Sequence, residues 1–150
     1  MKLEAMKLSI ELVPQTAFFR NVRSEVSKAE WDVLRRQAYK KYNYRCAICN
    51  GIGDKHPVEC HEVWDYNDEK YIQTLKELTA LCPKCHQVKH IGLSQMRGLM
   101  KDCIEHIMLV NEMTRTDTKR FIYDAFKVWE NRSHHAWNCD ISIIQKKETK

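Results

Sequence analysis

No stretch of this 150-residue chain comes near the roughly 20 consecutive apolar residues that a membrane-spanning helix needs, because the apolar runs are short and broken by charge. A secretory signal is missing as well. The opening MKLEAMKLSIELVP has no continuous apolar region and meets Glu4, Lys7 and Glu11, so a cytoplasmic protein without a membrane partner is expected. Internal repeats, low-complexity segments and long linkers are also lacking. With 43% hydrophobic residues the chain has enough apolar material to close one core, and a single domain over residues 1–150 is the expectation. Nor is there a strong charge of one sign: Lys and Arg number 25 against 20 Asp and Glu, a net +5 that admits a polyanionic partner without demanding one.

Cysteine, by contrast, is plentiful. Seven cysteines in a reducing compartment read as metal ligands or inert thiols rather than a disulfide framework. Cys46-Ala47-Ile48-Cys49 and Cys82-Pro83-Lys84-Cys85 are two CxxC pairs, each able to curl around a metal so that both sulfurs reach it from one tight turn. Gly51, Gly53 and Pro83 suit such turns. Four thiolates complete a tetrahedral Zn²⁺ shell with no position left for water, so this zinc is expected to be structural. A thioredoxin-like redox site would need only one pair. Cys60, Cys103 and Cys139 fall outside the pattern and read as small buried side chains.

Around the cysteines the pattern is α+β. Leu8, Ile10 and Leu12 alternate with polar residues, as do Trp137, Cys139, Ile141 and Ile143; two terminal strands pairing antiparallel would account for both. The segment from Pro14 to Ser27 shows no period and reads as a loop. Ser27 and Glu30 form a capping box ahead of Trp31, Leu34 and Ala38, which predicts a helix running toward Tyr42. Its other face carries Arg35, Arg36, Lys40 and Lys41, with Arg45 beyond: either a solvated face or a phosphate-contacting patch. Gly92 and Gly98 flank a stretch expected to be irregular. Leu99, Cys103, Ile107 and Val110 then predict one helix, and Thr114 with Asp117, followed by Phe121, Ala125, Phe126 and Trp129, a second.

With four thiols committed to zinc, the histidines need a separate account. His86 and His90 stand four apart in CHQVKH, so on a helix both rings project from one face and could share a second metal. Val58 to Trp64 favours a strand. Tied to the same zinc, it would bring His61 toward that pair, so that three histidines and a glutamate converge near the knuckles.

CAIC, ECHEVW and LTALCPKCHQVKH in this order resemble the HNH endonuclease family, whose core is a zinc-stapled ββα-metal element; the resemblance covers about Tyr44 to Ile91 and leaves 1–43 and 92–150 as flanking elaborations. It implies hydrolysis of DNA phosphodiester bonds with a divalent metal such as Mg²⁺ or Mn²⁺. It also implies that His86 and His90 complete the metal site and that the strand supplies a ligand and an adjacent base. In one register His61 is the ligand and Glu62 the base; in the other His61 is the base and Cys60 its neighbour. Glu77 stands where the family usually has an Asn that braces the hairpin loop. These departures leave a second reading open, a zinc-stapled module that binds nucleic acid or protein without catalysis.

Overall fold

The computed structural model describes residues 7–17 and 21–144. Among them a 3₁₀ turn (Gln15–Ala17) and a short helix α1 (Val22–Glu25) precede helix α2 (Lys28–Lys41). A hairpin of β1 (Glu59–Asn67) and β2 (Ile72–Leu81) follows, then helices α3 (Pro83–Lys89), α4 (Ile91–Met96), α5 (Met100–Asn111) and α6 (Arg115–Arg132), and a three-residue strand β3 (Asn138–Asp140). This is the expected mixture of helices with a small sheet. No helix among the described residues is long and apolar enough to cross a membrane.

The capping box of α2 closes in both directions: Glu30 N donates to Ser27 Oγ at 3.1 Å, and Ser27 N donates to Glu30 Oε1 at 2.9 Å. Two of the four orphan donors that open a helix need such partners, which is why the Ser-x-x-Glu spacing locates the start so well. Thr114 Oγ1 caps α6 in the same way, accepting from Asp117 N. Two local expectations fail. The segment before Ser27 holds α1, whose first turn is closed by the Asn21 side chain. The stretch between Gly92 and Gly98 holds α4, because Ile91 and Ser94 are buried and Ser94 Oγ donates to Gln87 O at 2.8 Å. There packing overrides the breaking tendency of glycine.

The sheet order is β1-β2-β3, antiparallel in the first pair and parallel in the second. The expected antiparallel pairing of the two chain ends does not form. β3 instead runs beside Ile72 to Thr74 of β2, and Leu8 is fixed by side chains: its N–H donates to Asn111 Oδ1 at 2.9 Å and its carbonyl accepts from Asn111 Nδ2 at 2.8 Å. The reason is that the ends are buried in different cores. Leu8 belongs to an apolar cluster with Leu81, Val88, Ile91, Ile104 and Ile107, whereas Ile141 packs with Val22, Trp64 and Leu75 in the other. Alternation reports burial on one face and says nothing about the partner strand.

The hairpin separates these clusters. Side chains alternate across a strand, so Glu59, His61 and Val63 share one face of β1, and Cys60 and Glu62 share the other. The first face meets α3, with His61 set edge-on to the rings of His86 and His90. The second face lies on the side of Trp64, against which Trp31 and Leu34 of α2 pack.

Candidate metal centres

Four thiols converge where the first knuckle meets the start of α3. The ligand atoms of Cys46, Cys49, Cys82 and Cys85 all lie within 4.8 Å of one another, as in a zinc site. Cys49 Sγ and Cys82 Sγ are 3.6 Å apart. Two sulfurs about 2.3 Å from a tetrahedral ion would stand about 3.8 Å apart, so the donor set and its spacing fit Zn²⁺. The knuckle is built for this. Asn50 takes the left-handed conformation (φ 64°), which turns the chain back so that Cys46 N donates to Gly51 O at 3.0 Å. Ala47 N donates to Ala80 O at 2.8 Å and fixes the loop to the end of β2. At Gly53 a Cβ would lie 2.5 Å from His56 O and 2.7 Å from Pro83 Cδ, so only glycine lets the two knuckles meet this closely.

The thiols cannot all carry charge unaided. The hydrogen bond from Cys85 pulls the Cys46 thiol down to about 4, and the same bond, followed by burial, pushes Cys85 far up. Burial also pushes Cys82 up to about 11. Four thiolates at this spacing need a cation among them.

Next to this cluster His61, His86 and His90 form the second, again with ligand atoms within 4.8 Å of one another. One turn of α3 separates the last two, and β1 delivers the first. His86 Nε2 and His90 Nε2 are 3.1 Å apart. Two nitrogens each about 2.1 Å from one ion would be about 3.0 Å apart at a right angle and about 3.4 Å apart in a tetrahedron, which brackets that separation. A carboxylate sets the orientation. His86 Nδ1 is 2.8 Å from Glu59 Oε1, and Glu59 Oε2 is 2.8 Å from His56 Nε2. With Nδ1–H donated to Glu59, His86 presents its Nε2 to the cluster. Burial raises Glu59, but the hydrogen bonds from His56 and His86 outweigh it and hold the carboxyl below its ordinary range.

Burial, reinforced by His86, His90 and Lys89, pulls His61 down to about 2. His90 keeps an exposed edge, yet the packing around its ring and then His86 bring it down to about 4. Both rings are therefore neutral at physiological pH. Neutral imidazole is the form that binds a metal. Three protein ligands with one ring at the surface would leave a tetrahedral ion one position for water. Glu59→Gln is expected to weaken Mn²⁺ binding at the histidines about ten-fold while the zinc content stays unchanged, by titration calorimetry and metal analysis.

Glu62 does not join the cluster. Its place in β1 turns it to the opposite face, where Oε2 accepts from Val22 N at 2.9 Å and burial raises its pKa. Cys60 shares that face, and its thiol is pushed up to about 12 by burial. The strand alternation that presents His61 turns positions 60 and 62 away from it, so the Glu62 expected beside it as a base is not at the cluster, and the carboxylate beside the rings is Glu59. Glu77 is bound elsewhere, accepting from Tyr42 Oη at 2.6 Å and so joining the end of α2 to β2.

The basic stripe is partly consumed. Arg35 Nε donates to Asp32 at 3.0 Å, Arg45 Nη1 donates to Asn50 O at 3.1 Å, and Lys41 stands 3.9 Å from Glu77. Arg36 and Lys40 are exposed and have no ion pair among the described residues. Of the remaining thiols Cys103 is buried as expected, while Cys60 and Cys139 are half-buried.

Glu59, His56 and His106 were not marked by the sequence pattern. Glu59 could have been, since the residue two before His61 must share its strand face. His106, whose Nε2 lies 3.1 Å from Cys85 Sγ, comes from a helix 21 positions away and carries no local signal.

No family model, characterised protein or solved structure matches this chain. Functional assignment therefore rests on the two side-chain clusters and on the motifs that place them.

Proposed function

We propose that this protein is a divalent-metal-dependent DNA endonuclease of the HNH type, in which Cys46, Cys49, Cys82 and Cys85 hold a structural zinc and His61, His86 and His90 hold the catalytic cation. The observation that carries this reading is the convergence of the three imidazoles, oriented by Glu59, beside the four-thiol cluster. The motif order CAIC, ECHEVW, LTALCPKCHQVKH supports it independently. When bound, such a cation supplies positive charge to the scissile phosphate and lowers the pKa of water at the site. The chain's residues then have distinct tasks. His61 would hold the cation from the hairpin, His86 and His90 would hold it from α3 and its end, and Glu59 orients the His86 ring. Arg36 and Lys40 are the free cations of the α2 face for the DNA backbone.

The test is nicking of supercoiled plasmid by metal-stripped, zinc-loaded protein after addition of Mg²⁺, Mn²⁺ or Ni²⁺. Glu62→Gln, which keeps the acceptor for Val22 N, is expected to change the nicking rate less than ten-fold. A loss of a hundred-fold or more would restore Glu62 as the base.

One observation favours a second reading. Glu62, the carboxylate expected beside His61 as a base, is turned away from the three imidazoles and bound to Val22 N, as a binding module without catalysis would allow. DNA binding with no nicking under any of the three metals would select it.

A further inference from the structure

The four sulfurs do not have equal surroundings. Cys46 Sγ accepts from Ile48 N at 3.4 Å and Cys49 N at 3.5 Å, Cys49 Sγ accepts from Gly51 N at 3.4 Å, and Cys82 Sγ accepts from Cys85 N at 3.4 Å. These N–H groups are available because each knuckle turn exposes them. Cys85 is different. It already lies inside α3, where the N–H groups of the following turn are committed to the helix ladder. Among the described residues the nitrogen that reaches Cys85 Sγ is His106 Nε2 of α5, at 3.1 Å.

His106 does not belong to the set of ligand atoms that lie within 4.8 Å of one another, and 3.1 Å is shorter than the about 3.6 Å expected between a sulfur and a nitrogen on one tetrahedral ion, so its ring is not a fellow ligand. It fits a donor to a thiolate, since hydrogen bonds to charged acceptors are short and strong.

Building on the reading of the thiol cluster as a zinc site, we infer that His106 is a positioning residue for that site: its Nε2–H supplies to the Cys85 thiolate the hydrogen bond that the backbone supplies to the other three. Four thiolates around Zn²⁺ leave a net charge of −2, and a fully buried sulfur in that shell has no water to disperse its share. His106 offsets that share and joins α5, which lies outside both CxxC pairs, to the metal. The zinc is held by four residues and tuned by a fifth from the C-terminal helices.

Cobalt substitution of the full chain tests this, with His106→Leu to remove the N–H and His106→Gln to restore an N–H of similar reach. Wild-type protein loaded with Co²⁺ is expected to show intense thiolate-to-cobalt charge-transfer bands of a four-sulfur site. In H106L these bands move to lower energy, because a thiolate without its hydrogen bond is the better electron donor. Zinc release to a chelator becomes about ten-fold faster, and H106Q recovers most of that loss. Wild-type protein without those bands would refute the four-thiol site itself. Identical bands and release rates in wild type and H106L would overturn the role of His106 alone, as would equal release from H106L and H106Q, which would assign the effect to packing. Circular dichroism of the zinc-loaded variants confirms that each comparison is between folded proteins.

Discussion

Replacing His61 by alanine is expected to reduce metal-dependent nicking by at least about a hundred-fold while folded yield and zinc content stay at wild-type levels. The imidazole is the one ligand that the hairpin contributes to the second cluster; His86 lies in α3 and His90 caps its end. Without it two ligands from one helix turn remain, and a cation bound by them has lost its fixed relation to the strand and to anything lying across it. Catalysis by positioning is sensitive to displacements of about 1 Å, so loss of a ligand should fall on the rate even where excess metal restores occupancy. Nothing in the first cluster changes. His86→Ala is expected to behave in the same way, since its ring also lies outside the four-thiol shell. Plasmid nicking with metal analysis on the same samples checks both. A His86→Ala protein that loses its zinc would show that the two sites are not separate, and the proposed catalytic metal would fall with that result.

The opposite behaviour is expected one residue earlier. Cys85→Ala should release the zinc and unfold the hairpin and α3, with a stability loss on the order of 10 kcal/mol at neutral pH if the metal contribution resembles that of other structural zinc sites. Cys85 is wholly buried, and its sulfur stands where the first knuckle, the start of α3 and His106 meet. The apolar cluster around Leu81, Val88 and Ile107 adjoins it. A three-thiol site fills its open position with water and loses both affinity and enclosure. Hydrogen exchange of the amides of β2 and α3 reads the effect directly. Protection equal to wild type after chelation would show that the apolar cluster alone holds this region.

How much could be read beforehand differs by element. The CxxC spacings located the four-thiol cluster because two cysteines three apart constrain their own turn, and no distant residue need be known. Ser27 with Glu30 located α2 for a similar reason: a cap is a local hydrogen bond. His86 and His90 were legible from helix period. The rest depended on which faces meet. Glu62 drew attention as a neighbour of His61, but on a strand the next residue is the farthest in direction, and Glu59 is the carboxylate at the rings. β3 was recognisable as a strand, yet its parallel partner in β2 was not, because alternation is the same for either orientation. α4 was hidden by Gly92 within it and Gly98 beyond it, and the burial of Ile91 and Ser94 explains it.

Lys89 sits between the two helix histidines and points away from them. Its ammonium donates to Ser9 O at 2.6 Å, to Ser9 Oγ at 3.1 Å and to Glu11 Oε1 at 2.9 Å, while Asn111 holds Leu8 from 103 positions along the chain. Trp129 Nε1 likewise donates to Val13 O at 3.0 Å. During synthesis on a ribosome residues 8–13 emerge before their partners Lys89, Asn111 and Trp129. Both knuckles, the three clustered histidines and Lys89 exist once residue 90 is out, whereas Asn111 and Trp129, which hold Leu8 and Val13, are made later. Residues 8–13 therefore have their full set of partners only after the metal-binding unit is complete in sequence.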